Sequence, residues 1–393
     1  VPDFSLPFRT YELKMSEQIA VVGGGIFGIA HVWAAIKGGY RVIWIERDRV
    51  AQSGSVRNFG MIWPIGQPLG EPTELAVRSA MIWQQVAATT GCWLNCCGSL
   101  HLAHHADELA VLEEYAAAAQ REGLPRRLLS LSEIEQLAPA ANPEGLKGGL
   151  YSETEFGVNP PQAIGQLTQW LLQQPSVTSI FGVAALSIEE RGGGGLCVKL
   201  ADQRSVEVER VIVCSGADLK TLFPEQLARA GMRLCKLQML KTIAQPQGWR
   251  TGPHLASGLT LRHYRAFDFC PSLGSLRQRI AADSTELDSF GIHVMCSQNE
   301  VGEVILGDSH EYDSEIEPFD KQVINNLILR ELRKVIRLRS WEMASTWHGV
   351  YAKYPDGLWW ESEPIPGVHL RTGLGGNGMT LSFGVAEHFF LNQ

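Results

Sequence analysis

The chain has no uncharged apolar run near the ~18 residues a membrane-spanning helix needs. Its most apolar region, Ile19 to Ile45, is interrupted by glycines, Lys37 and Arg41. Basic charge is short: 34 Lys and Arg face 42 Asp and Glu, a net charge of −8, which argues against nucleic acid as a partner. A small anionic substrate stays open, because a few local cations outweigh a diffuse charge. The eight cysteines lack the spacing of a disulfide framework, and a reducing cytoplasm is the expected location. Repeats are absent, and the one low-complexity tract is Gly192–Gly195. Val1 to Lys14 has no apolar core of the signal-peptide kind, whereas Met15-Ser16-Glu17-Gln18 reads as a natural start. Residues 1–14 are therefore expected to be an added or disordered extension.

Glycine is plentiful, 40 in 393 residues, and gathers in turns. Gln18 to Gly23 reads as a buried strand, Ile26 to Lys37 as a helix of small and apolar residues, and Arg41 to Glu46 as a second strand. Helical periodicity marks Glu74 to Ala88, Asp107 to Glu122 and Phe319 to Arg337. Another helix is expected behind Ser130, with Ser132 as N-cap and Glu135 three residues on. Asn159-Pro160-Pro161 opens a further helix to about Gln173. Val183–Ile188, Leu196–Leu200 and Val206–Cys214 read as three strands, and residues 233 to 310 as a second β-rich region.

Gly23-Gly24-Gly25-Ile26-Phe27-Gly28 fits G-x-G-x-x-G between a strand and a helix. Gly23 makes the turn, Gly25 admits a pyrophosphate, and Gly28 lets helix and strand pack closely, with the helix N-terminus facing phosphate charge. Glu46 ends the next strand, where a carboxylate accepts hydrogen bonds from a ribose, and Arg47 follows it. That motif alone leaves NAD and FAD open. Two later segments separate them by resemblance. Val208 to Ala217, a buried strand ending at Ser215 and Gly216, resembles the second flavin motif of the glutathione-reductase-like FAD fold. Thr372-Gly373-Leu374-Gly375-Gly376-Asn377-Gly378-Met379-Thr380 resembles the C-terminal flavin loop of the glycine oxidase and D-amino acid oxidase group. Amides at a helix start there would face the flavin pyrimidine edge.

From Met15 onward the chain resembles the FAD-dependent amine and amino-acid oxidoreductases of that superfamily. Within it, Ser55 to Pro64, Lys236 to Leu240, Leu261 to Arg265, Gly307 to Glu311 and Gly375 to Thr380 are similar to a bacterial branch associated with aminophosphonate breakdown. The resemblance implies a mixed α/β fold: a glutathione-reductase-like FAD-binding Rossmann domain (15–90, 145–225, 335–393) with an inserted β-rich substrate domain (91–144, 226–334). It implies non-covalent FAD held by Gly23, Gly25, Ile26, Phe27, Gly28, Glu46, Arg47, Ser53, Ser55, Asn58, Phe59, Gly60, Val183, Ser215, Gly216, Gly373, Gly375, Gly376, Asn377, Gly378, Met379 and Thr380. It also implies hydride transfer from the amine-bearing carbon to flavin N5, hydrolysis of the resulting imine to an aldehyde, and reoxidation by oxygen or a quinone.

One departure bears on the substrate. Relatives in this group share a G-x-R-P segment whose arginine pairs with a carboxylate, whereas Gly349-Val350-Tyr351-Ala352-Lys353 stands here. Without that planar fork a tetrahedral dianion becomes the better match. Arg262, His263, Tyr264, Arg265, Arg57, His310, Tyr351 and Lys353 are the candidate substrate residues, and the alternative for Arg262 and Arg265 is a pair of surface charges. Cys92, Cys96, Cys97, His101, His104 and His105 match no zinc signature and read as buried thiols and solvated histidines, so no metal is expected. Oxidation of a small aminophosphonate leads; an amine dehydrogenase with a carboxylate substrate, or a flavin-binding subunit without turnover, are the alternatives. Removing Val1 to Lys14 is expected to leave flavin content and melting temperature unchanged; a loss of several degrees in a thermal melt would show that the segment packs on the body.

Overall fold

The computed structural model describes residues 17–392. The extension expected at 1–14, and Met15 itself, lie outside them.

The opening unit has the expected boundaries except that its first strand ends one residue early, at Val22. Strand β1 (Gln18–Val22), helix α1 (Ile26–Lys37) and strand β2 (Arg41–Glu46) form in order, and β1 pairs in parallel with β2. Side chains alternate across a strand, so β1 feeds two cores at once. Ile19 and Val21 pack with α1 and the helices beside it, while Ala20 and Val22 pack on the other face against a three-stranded antiparallel sheet. A strand covered on both faces must be apolar throughout, which is why this one shows no polar alternation.

The sheet around β1 has six strands in the order Trp360–Ile365, Val368–Thr372, Arg210–Val213, β1, β2, Val177–Phe181. All neighbours are parallel except the first pair. The expected single strand Val206–Cys214 divides at Glu209. Ser205–Val208 belongs to the three-stranded sheet, and Arg210–Val213 crosses to lie beside β1. The amide of Glu209 donates to the Gln18 carbonyl at 3.0 Å at the crossing. Unbroken apolar alternation hides such a change of sheet, because neither half needs a turn residue.

The second sheet has nine strands, drawn from residues 99–152 and 233–353. It takes in Gly148–Ser152 and Met343–Lys353, so both segments leave the cofactor unit to which the boundaries at 145 and 335 would assign them. Residues 233–310 are less uniformly β than expected. Gly258–Arg262 and Arg265–Phe267 are short 3-10 turns, followed by helices Leu273–Asp283 and Thr285–Ser289. The helix after Ser130 starts two residues earlier than expected. Ser130 is its N-cap and exchanges hydrogen bonds with Glu133, since the same S-x-x-E spacing occurs in both registers. Of the cysteine–histidine group, Cys92 is buried and His105 exposed as expected, whereas His101 is fully buried and Cys96 exposed. Among the described residues no helix is long and apolar enough to cross a membrane.

The last helix, Gly378–Leu391, packs against Glu71–Thr90 through a glycine contact. A Cβ at Gly384 would sit 2.1 Å from the carbonyl oxygen of Leu75, an atom that cannot turn aside. Gly384→Ala is therefore expected to cost about 1–3 kcal/mol by forcing these helices apart. Denaturant unfolding of the flavin-loaded protein checks it, and an unchanged midpoint would contradict the close packing.

Candidate active site

A cavity of about 280 Å³ opens at the carboxyl ends of β1, β2, Arg210–Val213 and Val368–Thr372, the crevice where open α/β sheets bind ligands. One end is built from backbone. Gly23 has φ +118°, and a Cβ at Gly28 would lie 2.0 Å from the Gly23 carbonyl oxygen, so only glycine permits this approach of α1 to β1. The N-terminus of α1 thereby points into the cavity, and the Ile26 amide donates to Ser55 Oγ at 2.9 Å. The Glu46 carboxylate accepts from the amides of Gly24 and Asp48, which fixes it at the end of β2.

Most of the expected cofactor residues line this wall: Gly23, Gly25, Ile26, Phe27, Glu46, Arg47, Ser53, Ser55, Asn58, Phe59, Ser215, Gly216, Gly373, Gly375, Gly376, Asn377, Gly378, Met379 and Thr380. Three do not. Gly28 acts through packing, as above. Gly60 sits at φ +73° beneath the Val158 carbonyl and shapes the turn, its amide donating to Asn58 Oδ1 at 2.8 Å. Val183 donates its amide to the Glu46 carbonyl, and Ala184 and Ala185 reach the cavity instead. At the other end of the chain, Gly375–Asn377 turns into the last helix, with Thr380 Oγ1 accepting from the Trp63 amide at 2.9 Å.

The far end of the cavity is aromatic and basic. Tyr264, His293, Asp308, His310 and Tyr351 form it, and a side cavity of about 90 Å³ adds His263, Arg265, Tyr312 and Lys353. His293 lies against His263, 4.5 Å between ring centroids, and His310, 4.8 Å, and those two rings are themselves 5.5 Å apart, so the three form a triangular cluster. Burial, then repulsion from the other two rings, holds His263 well below the usual imidazole range. Burial also takes His310 down to about 4, against the pull of Asp308. Burial lowers Lys353 too, helped by the charge of Arg265, and raises the phenol of Tyr351 well above its usual value. The Lys353 Nζ donates to the Tyr312 hydroxyl at 3.3 Å, and its stem lies beside the Gly375 turn.

The arginines divide. Arg262 reaches neither cavity: its guanidinium pairs with Asp288 at 3.2 Å and donates to the Ile292 carbonyl at 3.0 Å and to His263 Nε2 at 2.7 Å. It fixes the fold rather than facing a substrate, which corrects the sequence expectation. Arg265 borders the side cavity and donates to the Pro355 carbonyl at 2.7 Å. Arg57 is exposed and lines the main cavity from the opposite side. Three of these wall residues, His293, Asp308 and Tyr312, are not among the sequence candidates. His293 stands alone in Gly291-Ile292-His293-Val294 and carries no motif; Asp308 lay inside a string noted for its family likeness, yet its side chain was given no role. One donor atom from each of the three histidines lies within 4.8 Å of the others, close enough to suggest a metal. The Arg262 guanidinium on His263 opposes one, because it occupies that ring's Nε2 lone pair and adds a fixed positive charge.

The family description "FAD dependent oxidoreductase" (DAO) matches residues 18–390. The chain belongs to this family. No curated protein matches it in sequence. Among solved structures it is similar to glycine oxidase from Bacillus cereus, with TM-score 0.75 and 16% identity over 95% of this chain and 94% of the other. L-α-glycerophosphate oxidase from Mycoplasma pneumoniae with FAD bound gives TM-score 0.74 and 16% identity, covering 96% and 95%. Iminodiacetate oxidase from Chelativorans sp. BNC1 gives 0.69 and 16%, covering 95% and 94%. These likenesses fix the fold of the FAD-dependent oxidoreductase and leave its substrate open.

The groove suits FAD on its own geometry. A Cβ at Gly25 would meet Ser55 Oγ at 3.0 Å, a tight contact, and the acceptor-only Glu46 lines the groove, where it would suit a ribose hydroxyl. Glu46→Arg removes that acceptor and frees the two amides it holds. Charge-assisted hydrogen bonds contribute about 1.5–3 kcal/mol each, so FAD affinity is expected to fall roughly tenfold or more. Fluorescence titration of the apoprotein measures it; full occupancy at low FAD would reject the ribose role.

Proposed function

We propose that this FAD-dependent oxidoreductase oxidises a small aminophosphonate, such as 2-aminoethylphosphonate or its N-methyl or 1-hydroxy derivative, at the carbon bearing nitrogen. The observation that carries the reading is the strand Met343–Lys353. It presents Tyr351 and Lys353 to the two cavities and offers no guanidinium fork for a planar carboxylate. Around Lys353 the side cavity adds Arg265, His263 and the Tyr312 hydroxyl, donors that converge from different directions. Such a set matches three tetrahedral oxygens better than two coplanar ones. A relative of the same fold is named for a phosphoryl-bearing substrate, which supports room for such a group.

Bound FAD would take the hydride from the amine carbon, leaving an imine that water opens to an aldehyde and ammonia or an alkylamine. Gly23, Gly25, Ser55, Glu46 and the Gly373–Thr380 turn would hold it. The cation set would anchor the anionic end of the substrate and so fix which carbon meets the reacting face. Tyr264 and Tyr351 wall that face and exclude water. A dianion in the side cavity also favours the ammonium form of Lys353, which burial alone disfavours. The eight thiols, all unpaired, suit a reducing cytoplasm.

A second reading, an amine oxidase for a carboxylate substrate, rests on Arg57, which lines the main cavity and whose guanidinium would offer a planar fork. Anaerobic bleaching of the flavin by 2-aminoethylphosphonate, β-alanine and glycine separates the two, and no bleaching by any amine would indicate a flavin-binding subunit without turnover. Lys353→Ala and Arg265→Ala are expected to raise KM for 2-aminoethylphosphonate about tenfold each while changing kcat less, as for uniform binding. Equal efficiency on the carboxylates, or no effect of either substitution, would favour the second reading.

A further inference from the structure

We propose that the ion pair between Arg47 and Asp218 is a latch across the adenosine end of the cofactor groove, one that sets how fast FAD enters and leaves. The position of the adenosine rests on the ribose reading of Glu46. Nothing in the proposal depends on the substrate.

The pair joins segments 171 positions apart in the chain. Arg47 follows the last residue of β2, and Asp218 stands in the turn after Arg210–Val213. Those two strands are the neighbours of β1 on either side. Their ends therefore lie two strand spacings apart, roughly 9–10 Å. Arg47 Nη1 donates to Asp218 Oδ2 at 2.9 Å and closes that gap in front of the Gly23–Gly25 turn. Both residues line the main cavity, Arg47 beside Glu46 on one rim and Asp218 near Ser215 and Gly216 on the other. A dinucleotide on the glycine floor, with its ribose at Glu46, would be bridged from rim to rim.

The two halves are built differently. Asp218 is fixed: its Oδ1 accepts from the amides of Lys220 at 3.0 Å and Thr221 at 3.1 Å, which leaves Oδ2 for Arg47. Its own amide donates to the Ser215 carbonyl at 3.1 Å. Burial pushes the Asp218 carboxyl up, but hydrogen bonds from Thr221 and Lys220 and the charge of Arg47 outweigh it and hold the group below the usual carboxylate range. Arg47 is the part that can swing. Its side chain is 49% exposed against 14% for Asp218. The strand end beneath it is anchored separately, the Glu46 carboxylate by the amides of Gly24 and Asp48 and the Glu46 carbonyl by the Val183 amide. A half-exposed ion pair of this kind contributes little to folding, yet it has to break each time the groove opens.

Capture and release kinetics separate a latch from an ordinary ligand contact. A contact between two protein groups that FAD must pass slows entry and exit alike, whereas a contact made to FAD itself slows exit alone. Exchange of bound FAD for excess radiolabelled FAD times release from the holoenzyme. The quenching of flavin fluorescence on mixing FAD with apoprotein times capture. Arg47→Gln and Asp218→Asn should each raise both rates about threefold or more and leave Kd within about twofold. The double variant should exchange no faster than either single one, because each substitution breaks the same pair. Added KCl should speed release from the wild type more than from either variant. Faster release with unchanged capture, so that Kd rises by the same factor, would mean that Arg47 holds FAD directly and would overturn the latch. Unchanged rates, or single effects that multiply in the double variant, would overturn it too. The Glu46→Arg titration reports separately on the ribose position, so a misplaced adenosine and a failed latch give different results.

Discussion

The contact between α1 and β1 at Gly28 is the constraint on which the rest depends. Backbone meets backbone there, with no room for even a Cβ. That approach aims the helix N-terminus into the crevice and leaves the Gly23–Gly25 amides on its floor. Because β1 is covered on both faces, the floor belongs to a strand packed between two cores. The Glu46 carboxylate, tied to two amides, extends the same rigid surface to the end of β2.

The second sheet supplies what the first cannot. Its strands run up to the same crevice and deliver polar side chains from distant parts of the chain: His293 before Met295–Gln298, Asp308 and His310 after Glu303–Gly307, and Tyr351 and Lys353 from Met343–Lys353. Dinucleotide-binding chemistry is thus set by one local unit, and substrate chemistry by an assembly of long-range pairings. The first unit can be common to many oxidoreductases while the second varies, and that matches a fold likeness at 16% identity to enzymes of differently named substrates.

Electrostatically the substrate end is a positive enclave in a chain of net charge −8. Burial works against the charged forms of His263, His310 and Lys353 there. Burial lowers Arg262 as well, while the charge of Asp288 opposes that fall, and its guanidinium donates to His263.

The sequence by itself determined the opening unit, α1 and β2 to the residue and β1 to within one position, and the glycine turns at both ends of the chain. These are local features, in which residue type, φ/ψ demand and spacing of a few positions carry the whole signal. It did not determine where residues 206–214 change sheets, because two apolar strands in different sheets read the same as one. Nor did it separate Arg262, a structural ion pair, from Arg265, three positions along the same polar-aromatic segment. Asp308 and His293 lie fifteen positions apart and meet only because the second sheet pairs their strands antiparallel. Only tertiary structure decided that contact, since a strand's partner is chosen by core packing across the whole chain and not by the residues beside it.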